Sequence, residues 1–323
     1  MPTLTTKTTV PNVNAFYDRD LLDRALPRFV HTRFAQVRDV PRNESDTIKF
    51  RRYTRLSAAT TPLTEGVTPV GSSLAVTNSS ATLLQYGDYV TLTDKLDMET
   101  EDPIVMETNE LLGEQVADTL DQLTRDVMNA GTNVAYASTA VSRITVAAGM
   151  NFNDALARKA ARILKLQNAR PITKMVDAYD AYLTTPLRPA FVAICHTNTT
   201  TDLEQMTSWK PVEQYQNSAG ALLPGEVGAW NGQIRFIETT NAKVFTGAGA
   251  AGIDVYSTLV LGMDAYGVSR ISGESLHEYV KALGSGGTED PINQRSTIGW
   301  KASFVAKILV QEWMLRLEHS ISS

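Results

Sequence analysis

Apolar residues occupy every second position near the C-terminal end of the chain, and Lys301, Ser303 and Lys307 lie between them. This alternation predicts a β-strand with one buried face. A helix is the alternative, since some of these residues are also four apart, but six consecutive alternations after Gly299 favour the strand. The residues at alternate positions are Trp300, Ala302, Phe304, Ala306, Ile308 and Val310. We expect Trp300, Phe304 and Ile308 to pack inward, and the change of phase after Gln311 predicts a β-bulge or bend.

The longest helical pattern runs from residue 103 to 130. Asp102 is a suitable N-cap, Pro103 fits the first helical position and Gly131 is suitable for the C-terminal stop. An apolar stripe at spacings of three and four predicts a buried face. The stripe consists of Leu112, Val116, Leu120, Leu123 and Val127, of which the first three are our core candidates. The length exceeds what a small domain needs and indicates a helix that runs along one edge of the molecule.

Two strand patterns, at residues 46–56 and 81–96, enclose a long segment rich in Ser, Thr, Pro and Gly. They predict a projecting β-hairpin. Loops longer than about 12–15 residues within a compact domain are uncommon and tend to be functional or disordered, and an isolated pair of strands is marginal in water. We therefore expect support for this hairpin from outside its own subunit.

The remaining patterns predict a mixed α+β organisation. Residues 1–14 form a polar, Thr-rich arm, and an amphipathic helix interrupted by Pro27 is predicted over 16–34. A second helix at 151–171 has a basic face, and short strands follow at 191–196, 228–240 and 252–262, with an Asn231-Gly232 hairpin turn. The apolar face of that second helix is Leu156, Ala160, Ile163, Leu164 and Gln167, opposite Arg158, Lys159, Arg162 and Lys165.

Charge is distributed unevenly along the chain. The net charge is -5, which gives no overall field for holding nucleic acid. Residues 1–56 nevertheless hold 11 Lys or Arg against 6 Asp or Glu, so the rest of the chain is acidic. A solvated basic segment is the simplest interpretation, and contact with an acidic partner or a nucleic acid is the alternative.

No motif collects the groups that catalysis or metal binding requires. The four histidines are scattered, and Cys195 and His196 would point to opposite faces of a strand. The sequence GAGAAG at 247–252 fits Gly-x-Gly-x-x-Gly, but strand-forming residues follow it where a phosphate-binding helix would begin. Neither a metal nor a cofactor is expected. An α+β enzyme with a site assembled from His196, Asp254 and Glu274 remains one alternative.

Features that would place the chain in a membrane or a secretory pathway are also missing from the sequence. No apolar run approaches 18 residues, so no membrane span is predicted. The first 14 residues have no apolar signal core, and we expect no secretion. With Cys195 as the single cysteine, an intrachain disulfide is impossible and a reducing compartment fits.

Several stretches resemble the major capsid proteins of N4-like tailed bacteriophages, which have the HK97-like capsid fold. They begin at residue 62, reach residue 309 and so cover most of the chain. These stretches are PLTEGVTP, QYGDYVTLTDKLD, FVAICH, GEVGAWNGQIRFIETTNA, GMDAYG and QRSTIGWKASFVAKIL.

The resemblance implies a fold with five parts. These are an N-terminal arm at 1–44, an extended hairpin loop at 45–98, a peripheral domain at 99–170 with the spine helix at 103–130, an axial domain at 171–290, and a return to the peripheral domain at 291–323. The extended loop would reach a neighbouring subunit. Its expected intersubunit contacts are Leu63, Glu65, Gly66, Val67, Pro69, Tyr86 and Asp88.

The function implied by the resemblance is structural and not enzymatic. Subunits would form hexamers and pentamers that close into an icosahedral shell around double-stranded DNA, without sequence-specific binding and without a membrane. Portal, scaffold and decoration proteins are possible partners, with assembly in the host cytoplasm and a final location in the virion. A nanocompartment shell of the same fold, which would enclose an enzyme, is the other alternative.

Some proteins of this fold crosslink their subunits through a lysine in the extended loop. From Leu56 to Asp94 this chain has no Lys or Arg. We therefore predict that mature particles contain no covalent crosslink from this loop. A denaturing gel of such particles should show monomers, whereas a ladder of oligomers with crosslinks mapped to residues 56–94 would contradict the prediction.

Overall fold

A computed structural model describes residues 29–42, 45–99, 104–173, 189–214, 223–272, 276–285 and 290–322. The α-helices in these residues are α1 (Asp94–Glu99), α2 (Ile104–Asn129), α3 (Asp154–Leu166) and α4 (Thr200–Glu204). The strands up to the middle of the chain are β1 (Gln36–Val40), β2 (Thr47–Tyr53), β3 (Val76–Thr82), β4 (Leu84–Thr93), β5 (Val134–Tyr136), β6 (Phe191–His196) and β7 (Trp209–Pro211). The later strands are β8 (Glu226–Trp230), β9 (Ile234–Thr239), β10 (Val244–Phe245), β11 (Val255–Leu261), β12 (Tyr266–Ile271), β13 (Leu276–Lys281), β14 (Arg295–Ile308) and β15 (Met314–His319).

Strand β14 is the centre of a five-stranded sheet. Along one edge it pairs with β4 over ten residues, from Arg295 opposite Thr93 to Phe304 opposite Leu84. Along the other edge it pairs with β13 and then β12, and β1 lies outside β12 in parallel. The C-terminal alternation is therefore a strand, as the sequence predicts, and it joins segments that are about 200 residues apart in the chain.

One face of this sheet packs against α2. The even-numbered residues Ile298, Trp300 and Ala302 form a buried cluster with Leu112 and Val116. Farther along the helix, Leu120, Leu123 and Val127 pack beside Val268, Phe304 and Ala306. On the opposite face, Lys301 and Lys307 are exposed, while Ser303 is buried. Helix α2 spans 26 residues and is about 39 Å long, so it follows the sheet along its length.

The second sheet of the fold is a mixed sheet of eight strands. Its order is β5-β15-β11-β6-β9-β8-β7, with β10 also paired to β11. One face is covered by α3, whose buried residues Leu156, Ala160 and Leu164 belong to the same cluster as Phe191 and Phe236. On the other face, Met128 of α2 is buried with residues of β6, β9, β11 and β15. Helix α2 thus contributes to the cores of both sheets.

Helix α3 agrees with the sequence pattern on one side and departs from it on the other. Asn153 caps it, accepting a hydrogen bond from Leu156 N at 2.9 Å. Its buried face also includes Ala157 and Ala161, because these small residues fit closely against the sheet, whereas Ile163 and Gln167 are half-buried. The basic residues Arg158, Arg162 and Lys165 are exposed and Lys159 is half-buried, in agreement with a solvated face.

The turn between β8 and β9 is the predicted Asn-Gly hairpin turn. Asn231 and Gly232 have φ values of 45° and 63°, which is the left-handed backbone that a two-residue turn of this type requires. The GAGAAG segment is likewise a turn between strands, here β10 and β11, with Gly247 at φ 62°. Strand β11 follows it, as the sequence predicts, where a phosphate-binding motif would require a helix.

Two sequence expectations need correction. The strand that returns from the hairpin is β3 at Val76–Thr82, while most of the predicted 81–96 strand is β4, which pairs with β14, and its end is α1. Of the predicted 16–34 helix, the structure describes 29–34, where a turn forms around Arg33 N and Val30 O. The change of phase after Gln311, where the sequence predicts a β-bulge or bend, is a bend made by a 3₁₀ turn at Gln311–Trp313. It transfers the chain from the five-stranded sheet to the eight-stranded one.

The close approach of β4 to β14 depends on Gly299. A Cβ atom there would lie 2.6 Å from Tyr89 Cβ and 2.9 Å from Asp88 O, and backbone atoms cannot give way cheaply. We predict that Gly299→Ala lowers the free energy of unfolding by about 1–3 kcal/mol. Gly113→Ala, in the interior of α2 with open space around it, should raise it by up to about 1 kcal/mol. Urea unfolding of the two variants measures both changes, and equal stabilities would contradict this account.

Candidate assembly surfaces

The extended loop begins as a two-stranded ribbon that forms a sheet of its own. Strands β2 and β3 pair in antiparallel register from Thr47 opposite Thr82 to Tyr53 opposite Val76. At the base, Phe50 is buried beside Gly267 of β12, and Arg52 lies over the ring of Trp313 at 5.5 Å. The base of the ribbon is therefore fixed to the body of the subunit.

Beyond the ribbon, residues 57–75 form a tip that the rest of the described chain leaves exposed. Its large apolar side chains Leu63, Val67, Val70 and Leu74 are 77%, 62%, 99% and 70% exposed. The one backbone–backbone hydrogen bond within the described tip joins Val67 N to Thr64 O at 3.2 Å. Buried apolar surface and paired backbone groups are what normally order a segment. This tip obtains little of either from its own subunit.

The seven predicted contact residues fall into two groups. Leu63, Glu65, Gly66, Val67 and Pro69 all lie exposed in the tip, and Gly66 has a φ of 74°. Tyr86 and Asp88 lie in β4 instead. Tyr86 is half-buried beside the clusters that α2 and β14 form, and Asp88 accepts a hydrogen bond from Gln115. The five tip residues therefore lie together on one exposed segment. Tyr86 and Asp88 instead have contacts within their own subunit.

Gln115 links three elements, and the sequence pattern missed it. Its Nε2 donates to Asp88 Oδ2 of β4 at 2.7 Å, and its Oε1 accepts from Trp300 Nε1 of β14 at 3.0 Å. The bond from Gln115, followed by that from the Tyr89 amide, lowers the pKa of Asp88. A signal was present, since a glutamine one residue before Val116 borders the buried stripe and a tryptophan N–H needs an acceptor.

The six predicted core residues lie in three connected clusters. Leu112, Val116 and Trp300 are buried together, with Leu120 half-buried at the boundary to the next cluster. Phe304 is buried in that second cluster. Ile308 is half-buried and packs against the cluster that contains Tyr266 and Met314. These residues hold α2 against β14, which is the platform from which the extended loop projects.

Asp121 of α2 fixes the point at which the N-terminal part of the chain enters the described fold. Its Oδ1 accepts from Val30 N at 3.0 Å and His31 N at 2.8 Å, and its Oδ2 lies 2.8 Å from His31 Nδ1. Asn241 of the β9–β10 turn donates to the same carboxylate at 3.2 Å. Tyr266 donates to His31 O at 2.5 Å. The buried carboxylate therefore joins the N-terminal segment to α2 and to the β9–β10 turn, and Tyr266 of β12 binds the same segment through His31 O.

The residues considered for catalysis have structural surroundings. Cys195 is buried on the α3 side of β6, and this burial raises the pKa of its thiol, so the reactive thiolate is disfavoured. His196 packs edge-on against Tyr256, and Asp254 accepts from Gly247 N at 2.8 Å. Glu274 lies outside the described residues. Within those that are described, no His, Cys, Asp and Glu side chains cluster as metal ligands would, and no helix is long and apolar enough to span a membrane.

The sequence from residue 77 to 314 matches the model of a phage capsid protein family. The chain belongs to this family. No curated protein matches the sequence at a significant level. The match extends from β3 to the start of β15, and it includes β4, α2 and β14, the elements that hold the extended loop.

Solved phage capsids have the same fold as this capsid protein. The capsid of Ralstonia phage GP4 aligns with a TM-score of 0.73 at 12% identity, over 100% of this chain and 99% of that one. The Cyanophage Pam1 capsid asymmetric unit gives 0.70 at 15% identity, covering 97% of each chain. The head structure of Helicobacter pylori bacteriophage KHP40 gives 0.62 at 12% identity, over 99% and 98%.

These matches confirm the predicted α+β, HK97-like capsid fold and the predicted role as a major capsid shell protein of a tailed phage. The capsid protein is a structural component of the virion and assembles into an oligomeric shell. The nanocompartment and enzyme alternatives are not favoured. The N-cap Asp102, Pro103 and most of the N-terminal arm lie outside the described residues.

The buried Asp121 should make stability depend on pH. Burial raises its pKa, but the hydrogen bonds and charge of His31 outweigh this and hold the pKa below its ordinary value. The stabilisation is therefore present above the unfolded value near pH 4 and is lost as the pH falls through the lower folded value. We predict that Asp121→Asn lowers the free energy of unfolding at pH 7 by about 3 kcal/mol and flattens its decline below about pH 4.

Asp39→Asn is the matched control, because Asp39 pairs with Arg270 at an exposed position. Its effect should stay below about 1 kcal/mol. Denaturant unfolding between pH 7 and pH 3 measures all three proteins. If the Asp121→Asn curve runs parallel to that of the unchanged chain, Asp121 is not the source of the pH dependence.

Proposed function

We propose that this capsid protein forms hexamers and pentamers that close into an icosahedral head around double-stranded DNA, and that its extended loop holds each subunit to the next. Assembly takes place in the host cytoplasm, with portal, scaffold or decoration proteins as further partners. Its role is structural and not catalytic. The observation that carries the proposal is the exposed apolar tip at residues 57–75.

The tip supports this proposal because its own subunit gives it no cover. Four large apolar side chains face solvent there, and its backbone polar groups have almost no partners within the tip. A neighbouring subunit that covers the tip would remove this apolar surface from water and supply partners for the backbone. Contacts between unlike surfaces of identical chains close into rings when the rotation between subunits permits it. A projecting loop and a separate receiving surface are suited to such rings.

The predicted division of the chain assigns α2, α3 and β14 to the peripheral domain, and it assigns most of the eight-stranded sheet, together with β12 and β13 of the five-stranded sheet, to the axial domain. We retain the ranges 99–170, 171–290 and 291–323 as a proposal. Residues 291–323 contribute β14 to one sheet and β15 to the other. The two domains would therefore be joined through the turn at Gln311–Trp313 as well as through α2.

The charge of the chain favours a shell that encloses DNA without binding it tightly. The net charge is -5, and the basic residues are concentrated before residue 57. A surface that neutralises many phosphates binds DNA strongly and with a steep dependence on salt. We propose that the shell confines the genome without sequence-specific contacts.

Electron microscopy of the purified chain tests the assembly, and variants of the tip test the role of the loop. Gly66→Val forces a β-branched residue into the left-handed backbone of the tip, where Gly66 has a φ of 74°. Because nothing packs on Gly66 within its subunit, we predict an unchanged melting temperature and a loss of rings and shells of at least about tenfold (~1.4 kcal/mol). Glu65→Ala should act in the same direction and more weakly.

Gly71→Val is the matched control, since Gly71 lies in the same tip with open space around it and no left-handed backbone. It should assemble more efficiently than Gly66→Val. A chain that stays monomeric without any substitution would contradict the shell proposal, and equal assembly by both variants would contradict the role of the tip. The nucleic acid content of particles separates a capsid from a nanocompartment.

A further inference from the structure

Two exposed tyrosines stand on either side of a glycine on the outer face of the five-stranded sheet. Antiparallel pairing places Gly299 of β14 directly opposite Tyr89 of β4 along one edge and Tyr279 of β13 along the other. Directly opposite residues share one face of a sheet. This face is turned away from α2, because the alternate residues Leu92 and Ile298 pack against the helix. The tyrosine side chains are 68% and 52% exposed. We call Tyr89, Gly299 and Tyr279 the tyrosine slot.

The tyrosine slot has the width of one planar ring. Neighbouring strands lie about 4.8 Å apart, so the backbones that carry the two tyrosines are roughly 9.6 Å from each other. Aromatic rings stack at centroid distances of about 4.5–7 Å, and a ring midway between the tyrosines would lie within reach of both. The ring of Tyr279 packs beside that of His277, with 6.3 Å between centroids, and no ring contact joins Tyr89 to Tyr279 in the described chain. The slot is therefore open to a ring from another molecule.

Two lysines flank the slot on the same face of the sheet. Lys301 lies two residues beyond Gly299 on β14, and Lys281 lies two residues beyond Tyr279 on β13. Because β13 and β14 are antiparallel, the two lysines lie on opposite sides of the slot, each about 7 Å along its strand. Both side chains are exposed, and no ion pair in the described chain includes either of them. The slot thus has a cation on each side.

The slot and both lysines line one groove of about 700 Å³. Two carboxylates also border this groove, and both are engaged within the subunit. Asp88 accepts from Gln115 Nε2 at 2.7 Å. Asp290 accepts from the backbone amides of Gln294 and Arg295 at 3.1 and 2.8 Å. The two lysines therefore remain available to an anion from outside the subunit.

We propose that this groove binds single-stranded nucleic acid, with one base between Tyr89 and Tyr279 and the adjoining phosphates near Lys281 and Lys301. Such binding goes beyond the proposed shell function and does not depend on it. A base has two flat faces, which match the two rings, and within a strand it has a phosphate on each side, which matches the two lysines. Surfaces that bind single strands combine stacking rings with cations in this way, and they tolerate any sequence because every base has a π face.

Double-stranded DNA does not fit the same slot. Its bases are already paired and stacked, so it presents phosphates to the lysines but no free ring to the tyrosines. A shell with this groove would still confine a double-stranded genome without binding it tightly.

An acidic protein segment is the other partner that the two lysines could attract. Protein interfaces depend on a few large anchors that fill well-packed pockets. Around the slot, residues 85–91, 277–281 and 295–303 direct Gln, Gly, Thr, Ser, His, Lys and Arg to this face beside the two tyrosines, with no aliphatic side chain among them. Aliphatic anchors of a protein would gain little cover there, so a nucleic acid strand is favoured.

Fluorescence anisotropy of a labelled oligodeoxythymidine about 12 nucleotides long, within the range that such surfaces cover, measures binding to the purified chain. We expect Tyr89→Ala and Tyr279→Ala each to weaken binding at least about fivefold, because each removes one stacking face. Tyr89→Phe should bind like the unchanged chain, since it keeps the ring. Tyr53→Ala is the matched control, because Tyr53 is also 68% exposed but lies in β2, outside the groove. It should leave the affinity unchanged.

The salt dependence of binding tests the role of the lysines. Lys301→Ala should reduce the slope of log affinity against log salt concentration by about 0.7, because one phosphate contact is lost. Lys307→Ala is its control, since Lys307 is exposed on the same face of β14 but does not line the groove. Equal slopes for these two variants would contradict a phosphate contact at Lys301.

Melting temperature reports whether each variant folds, and Tyr279→Ala on the edge strand carries the test if Tyr89→Ala does not fold. Unchanged binding by a folded tyrosine variant, or equal losses in Tyr53→Ala, overturns the proposal. So does a DNA duplex of the same length that binds as tightly as the single strand. Thymidine monophosphate that binds as tightly as the oligonucleotide would instead indicate a site for free nucleotides. An oligoglutamate that displaces the oligonucleotide equally well would assign the groove to an acidic protein segment, and either result overturns the proposal.

Discussion

The ten-residue pairing of β4 with β14 is the constraint on which the rest of the subunit depends. Strand β4 leads directly out of the extended loop, and β14 is the strand whose apolar face packs on α2. Their register is held where Gly299 lets the backbones approach beside Tyr89, and Gln115 connects both strands to the helix. If this ladder shifted by one residue, every side chain of β14 would exchange faces and the contact with α2 would be lost.

The sequence predicted those elements whose own residues carry the pattern. The alternation from Trp300 to Val310 is a local property of the chain, and so is the apolar stripe of α2. The ribbon strand β3 escaped prediction because its sequence, VTNSSAT, has no apolar alternation. It is a strand because β2 supplies partners for its backbone hydrogen bonds. Such pairing leaves no pattern of apolar and polar side chains in the sequence. The switch of sheet after Gln311 was visible as a change of phase, but the destination depends on β11 and β5, which are distant in the chain.

Polar residues that connect α2 to other elements were also missed by the sequence patterns. Gln115 and Asp121 lie on a helix with many acidic side chains, so each resembles an ordinary solvated position. Their roles come from partners that the sequence does not indicate, among them Trp300 at 185 residues' distance and His31 at 90. The five candidate contact residues in the tip stay a prediction, which draws on the unusual length of a polar segment without a core. Tyr86 and Asp88, which the resemblance placed in the same group, have neighbours within the subunit because they lie in strand β4.

The continuity of the ribbon with the central sheet has a mechanical consequence. Strand β3 passes through Leu83 into β4, so a pull on the extended loop along the strand direction is transmitted straight into the β4–β14 ladder. Such a load acts in shear, and the hydrogen bonds of the ladder resist it together, whereas a peeling load would open them one at a time. A shell under internal pressure stretches its subunit contacts, and this geometry carries that tension into the sheet that packs on α2.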